Sequence, residues 1–155
     1  MQQLEWFATR VIRDRAYVLR YLEVEGVQIS RISDIPTLVF VHCPKRQILQ
    51  LKGELWDRVL FYRKAGSREP QAIPDNVMQT FLIMSPYHNE PVFYMAVDDP
   101  NFFCGRRKRV VKGVFAGCEG VVKRIKGERR LIVKVSDRAA IATPYIPQEF
   151  MEDAE

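Results

Sequence analysis

Cysteine is scarce and poorly placed for either cross-linking or metal binding. Cys43, Cys104 and Cys118 are the whole supply, with no Cys-x-x-Cys pair. An odd number excludes a fully paired disulfide framework within one chain. Histidine is scarcer still, limited to His42 and His88, and neither has a partner at the spacing of a metal site. His42 adjoins Cys43, but adjacent strand residues point to opposite faces, so the pair reads as buried strand rather than as base and nucleophile. No apolar run approaches the roughly 18 residues that a membrane-spanning helix needs. The short apolar opening between Glu5 and Arg10 does not read as a secretory signal. There is no phosphate loop, nucleophile elbow, internal repeat or low-complexity tract. Asp98-Asp99 is a carboxylate pair, but neighbours in a loop read as solvated charges rather than as an acid/base couple. These absences point to a cytoplasmic protein that is not an enzyme and needs no cofactor, metal or membrane.

What is present suits one ordinary domain or two small ones in 155 residues, with 47% hydrophobic residues for cores and 28% charged residues for surface. Trp6–Ile12 is predicted as a strand, rich in aromatic and β-branched residues. Asp14 then caps a helix with Val18, Tyr21, Leu22 and Val24 at helical spacing, which Gly26 ends. Val27–Ile32 and the continuously apolar Leu38–Cys43 read as strands, the second buried on both faces. A short helix over Lys45–Trp56, weakened by Gly53, precedes a strand over Arg58–Arg63. Pro74 and Asp75 open a helix that presents Met78, Phe81 and Leu82 and stops at Pro86, and Val92–Val97 is read as the last strand of this half. The order β-α-β-β-α-β-α-β predicts an α+β sheet flanked by helices. Residues 99–106, with Pro100 and Asn101, form the expected linker.

The second half is led by RVVKGVFAGCEGVVKRIKGERRLIVKV, Arg109 to Val135. Gly113, Phe115, Gly117 and Gly120 form a tight turn cluster around one aromatic, since glycine tolerates positive φ without a Cβ clash. Two strand-like runs follow, Val121–Ile125 and Leu131–Val135, joined by a Lys126-Gly127-Glu128 turn. Phe115 is expected to plug the small barrel they close. Charge is concentrated here. Twelve Lys and Arg and three Asp and Glu lie between Arg106 and Arg138, against a net charge of +5 for the chain, and the sign reverses at Glu149, Glu152, Asp153 and Glu155. A basic block of this kind attracts phosphate backbones through counterion release.

The glycine-aromatic cluster and its two strands resemble the KOW motif, with ATPYIPQEFME continuing as the motif's last strand does. Ahead of it, EWFATRV resembles the first strand of an NGN domain, IPTLVFV (Ile35 to Val41) resembles that domain's Phe-Pro-Gly-Tyr-Val-Phe-Val strand, and AIPD (Ala72 to Asp75) resembles the loop before its last helix. Together they resemble the NusG family of transcription elongation factors, and within it the UpxY-type antiterminators. Ile35 and Thr37 depart from the family strand. The segment Ser30 to Pro36 is also too short for the extra hairpin that the family usually carries there.

The resemblance implies an antiparallel NGN sheet with flanking helices over residues 1–98, a linker over 99–106, and a small SH3-like β-barrel KOW domain over 107–155. It implies docking on the clamp helices of RNA polymerase's largest subunit through Leu38 and Phe40, which share a strand face, with Phe61 extending the patch. It places Arg13, Lys45 and Arg46 near polymerase or nucleic acid, while the basic strands with Lys123, Arg124 and Lys126 suit phosphate contact. Cys118 stands where ribosome-coupled relatives carry a bulky apolar residue. A thiol buries less area, so coupling to a ribosomal protein or to Rho is not expected. The chain is read as a monomeric elongation or antitermination factor. The alternative is a KOW-type RNA-binding protein of the ribosome.

Overall fold

A computed structural model describes residues 3–86 and 92–154; His88 lies outside them. Two compact units are present, one formed by residues 1–32 and 36–74, the other by 33–35 and 75–155. The fold class is α+β, with three helices and two antiparallel sheets among the described residues.

The first unit runs β1 (Leu4–Val11), α1 (Arg15–Val24), β2 (Gln28–Arg31), β3 (Leu38–Pro44), α2 (Lys45–Leu55), β4 (Val59–Phe61) and β5 (Ala72–Ile73). The sheet order is β2-β3-β1-β4, and β5 also pairs with β1. One sheet face, carrying Phe7, Val11, Val39, Val41 and Phe61, packs with Val18 and Leu22 of α1 and Ile48, Leu51 and Leu55 of α2. The i, i+4 spacing of Val18 and Leu22 puts both on the buried side of α1. Truncating a buried leucine of this kind to alanine costs about 2–5 kcal/mol.

Gly26 ends α1 as expected. Its φ is +72°, its N–H donates to Glu23 O, and Val27 N–H reaches Leu22 O, the paired bonds of a Schellman motif. The start of α1 differs from expectation. Asp14 has a left-handed backbone and makes no side-chain capping bond; its carboxylate instead accepts from Arg58 Nε at 3.1 Å. A charge-assisted bond to a guanidinium is stronger than one to a backbone amide, and it ties the residue before β4 to the helix start.

The second unit runs α3 (Asp75–Met84), β6 (Phe93–Ala96), a 3-10 turn (Pro100–Phe103), β7 (Arg107–Val110), β8 (Glu119–Ile125), β9 (Glu128–Ser136), β10 (Ala139–Ala142), a 3-10 turn (Gln148–Phe150) and β11 (Met151–Asp153). Its sheet order is β11-β7-β8-β9-β10-β6. Strand β6, read as the close of the first half, pairs instead with β10, with Ala139 opposite Ala96 and Ala142 opposite Phe93. An edge strand leaves a row of backbone donors and acceptors open, and β6 satisfies those of β10. Helix α3 likewise packs against β9, with Met78, Phe81 and Met84 buried. Thr80 Oγ1 accepts from Glu119 N–H at 3.3 Å, and the Thr80 carbonyl accepts from the Cys118 thiol at 3.9 Å. The residues expected to form a linker therefore hold a 3-10 turn, which Asp99 caps by accepting from Asn101 N–H at 2.9 Å.

Candidate functional site

The first candidate surface is the face of the β1–β3 sheet opposite α1 and α2. In register, Trp6 lies across from His42, Ala8 from Phe40, and Arg10 from Leu38, so these side chains share that face. Trp6 stacks on His42 with centroids 4.4 Å apart and planes 9° from parallel, and His42 Nδ1 lies 3.0 Å from Gln28 Oε1. Leu38 and Phe40 are 1% and 0% exposed. The expectation that Phe61 extends their patch does not hold. Phe61 pairs with Thr9 and belongs to the core under the helices, whereas Leu60 pairs with Arg10 and so joins Leu38 and Phe40. Leu60, at 49% exposure, is an accessible apolar side chain of this face that sequence reasoning missed, and Leu4, two residues before Trp6 on β1, is another. A three-residue strand shows its period only through its register with β1.

Arg13, Lys45 and Arg46 lie at the strand and helix ends of this unit. Arg13 faces Asp57 at 3.7 Å, and Lys45 shares the Glu69 carboxylate with Lys64, each ammonium 3.3 Å away. Hydrogen bonds from Lys64 and Lys45 hold the Glu69 carboxyl below its ordinary range. Arg46 is exposed in the first turn of α2.

In the second unit the glycine cluster forms the loop between β7 and β8. The loop is closed by Gly117 N–H to Val110 O at 2.8 Å and Val110 N–H to Cys118 O at 2.9 Å. Gly113 and Gly117 have φ of +83° and +99°, the reason expected for glycine there. Gly120 is glycine for another reason. It lies in β8, where a Cβ would meet the β9 backbone. Phe115 is buried, as a core plug would be.

The basic block is neither uniform nor uncompensated. Strand β11 brings Asp153 to Lys108 and Arg106, and Glu152 to Arg109, while Glu119 faces Arg107 and Arg109. On one sheet face, Lys123 lies over the Phe102 ring at 5.4 Å and Lys134 over Phe103 at 5.2 Å. Lys126 and Arg130 both lie 4.7 Å from the centroid of Phe93. These rings roof a small cluster of Ile132, Ala140 and Ala142. Cations over ring faces gain quadrupole attraction and occupy surface on which a nucleobase would otherwise stack. Arg124, one residue from Lys123, points to the opposite face and donates to Gly127 O at 3.1 Å. The expected trio Lys123, Arg124 and Lys126 is therefore divided between two surfaces.

Burial pushes the Cys43 thiol up to about 11 and the Cys118 thiol up to about 12, so neither is a ready nucleophile. Among the described residues no group of three or more His, Cys, Asp or Glu could hold a metal ion. No helix there is long and apolar enough to cross a membrane.

No protein-family model matches the chain, and no curated protein matches it. Among solved structures it is similar to one described as "Domain interaction in Thermotoga maritima NusG", at 17% identity and a TM-score of 0.51, over 99% of this chain and 98% of that one. At that identity the likeness is one of fold. The chain thus has a NusG-like fold from end to end.

Proposed function

We propose that the chain is a transcription elongation and antitermination factor, of the UpxY-like kind within the NusG family, that binds RNA polymerase and suppresses pausing or termination. The end-to-end likeness to a NusG fold carries this reading. Fold alone does not fix function, and the sheet face supplies the second support. Trp6, Leu38 and Phe40 share one aromatic-aliphatic sheet face with the half-exposed Leu60, and aromatic anchors of this kind are frequent in binding hot spots. Its proposed partner is the clamp-helix pair of the polymerase's largest subunit. Leu38 and Phe40 are buried in the structure, so engagement requires this face to be uncovered, with Leu4 and Leu60 already accessible.

The proposed domain limits are 1–98 for the polymerase-binding domain and 107–155 for the KOW domain, joined by 99–106. This boundary along the chain differs from the compact division before Asp75. The protein is proposed to act in the cytoplasm as a monomer, without chemistry of its own, and to touch nucleic acid through its basic second unit. That basic unit also favours the alternative, an RNA-binding protein of the ribosome. Affinity purification from the native cell separates the two: polymerase subunits are expected, and recovery of ribosomal particles without polymerase overturns the first reading.

A further inference from the structure

We propose that the groove between the β8–β9 hairpin and the segment Tyr145–Glu149 binds one nucleotide of a single-stranded nucleic acid. This site deepens the proposed nucleic-acid contact and rests on it. The groove has a volume of about 470 Å³ and is lined by Arg124, Arg129, Tyr145, Gln148 and Glu149, together with the turn residues Gly127 and Glu128. That volume lies within the roughly 300–1,000 Å³ of small-ligand sites.

Both guanidinium groups are held in place. Arg124 Nη1 donates to Gly127 O at 3.1 Å and Arg129 Nη1 donates to Gln148 Oε1 at 2.9 Å. Each bond uses one of five donors and leaves a planar fork for phosphate oxygens, with less side-chain freedom to lose on binding. Tyr145 is 49% exposed and presents a ring on which a base stacks. Glu128 and Glu149 also line the groove, but only one carboxylate decides the orientation. Glu128 is engaged by Arg130 at 3.2 Å. Glu149 repels phosphate and accepts hydrogen bonds, so it faces the amino groups of a base edge while the arginines face the backbone. The opposite sheet face lacks this combination, because its cations lie over Phe93, Phe102 and Phe103.

The test uses the full chain and labelled mixed-sequence 10-mers of single-stranded RNA and DNA, with binding followed by anisotropy across a salt series. Tyr145→Leu is expected to weaken binding on the order of tenfold, with Tyr145→Phe retaining it, because stacking needs the ring and not the hydroxyl. Arg124→Gln with Arg129→Gln is expected to make the log–log salt slope shallower by about 1.4, at roughly 0.7 for each of the two phosphates that flank the bound nucleotide. Lys123→Gln with Lys126→Gln is expected to leave affinity and slope close to the parent's. If the parent binds and the groove variants, folded by circular dichroism, bind equally well, the groove is overturned while the nucleic-acid reading stands. If the parent binds neither oligonucleotide, both are overturned, and recovery of polymerase is a separate result.

Discussion

Gly120 faces the main chain of Ile132 so closely that a Cβ at position 120 would stand 2.3 Å from the Ile132 carbonyl oxygen. Backbone cannot yield as a flexible side-chain tip can, so Gly120→Ala has to pry β8 from β9. A loss of about 3 kcal/mol or more is expected for the second unit, in the range of severe core lesions. Gly53 provides the opposite case. Nothing lies within 4 Å of its hypothetical Cβ, and it sits inside α2. Gly53→Ala should therefore stabilise by up to roughly 1 kcal/mol from helix propensity alone. Urea unfolding of the two variants checks both signs; equal stability of Gly120→Ala and the parent would refute the close-approach argument.

Leu60 offers a cleaner probe of polymerase docking than the buried pair beside it. Removing Leu38 or Phe40 excavates the fold, whereas Leu60 is half exposed and shares their face. Leu60→Ala is expected to keep stability within about 0.5 kcal/mol. It should weaken polymerase binding by about 1 kcal/mol or more if the face docks. Undiminished polymerase recovery with a folded Leu60→Glu variant would remove this face from the interface.

The sequence made some of this architecture legible and hid the rest for physical reasons. Local rules sufficed where a residue's own backbone decides, as with Gly26 at the end of α1 or Gly113 and Gly117 in the loop after β7. They also sufficed for β3, whose apolar residues 38–41 are buried on both faces. They failed where a distant partner decides. Nothing near Phe93 announces that β6 completes the edge of β10, and nothing near Asp14 announces that its carboxylate goes to Arg58 rather than to its own helix. The face assignment of Phe61 depends on register with β1, and composition does not encode register, whereas the parting of Lys123 from Arg124 follows from strand alternation alone and was legible in the sequence. The basic block was visible, but its partial neutralisation by the acidic β11 required knowing that β11 pairs with β7.

The three cysteines should separate by accessibility. Cys104 is exposed, while Cys43 and Cys118 are buried. A maleimide applied to the native chain at neutral pH is expected to add once, at Cys104, and three times after denaturation, read by intact mass. Burial raises the thiol from an ordinary value of 9.0 to about 11 at Cys43 and about 12 at Cys118. The unfolded chain therefore gives up these protons first as pH rises. The stabilising contribution is complete below the ordinary value and is lost as pH climbs through it toward the raised values, by up to about 1.4 kcal/mol per pH unit per thiol. Cys118→Ala should blunt that alkaline loss, although it removes a packed side chain; an unchanged slope above pH 9.0 would count against burial of the thiol as its cause.

Lys126 tests whether the aromatic roof contributes energy. It occupies a left-handed conformation, φ +54°, as the first of the two residues linking Ile125 to Glu128, followed by Gly127 at φ +81°. Such a two-residue turn prefers Asn-Gly, and lysine in the left-handed region costs roughly 1 kcal/mol. Against that cost stands its ammonium, 4.7 Å from the Phe93 centroid, a contact that contributes about 0.5–1 kcal/mol at an exposed site. Lys126→Asn alone should thus change stability little, the turn gain offsetting the lost contact. In a Phe93→Leu background there is no ring for the ammonium to lose, so the same substitution should stabilise. A double-mutant cycle by urea unfolding is expected to return a coupling of about 0.5–1 kcal/mol between positions 93 and 126. Coupling near zero would mean that the ring–ammonium contact adds nothing, leaving Lys126 free to reach a phosphate on that face.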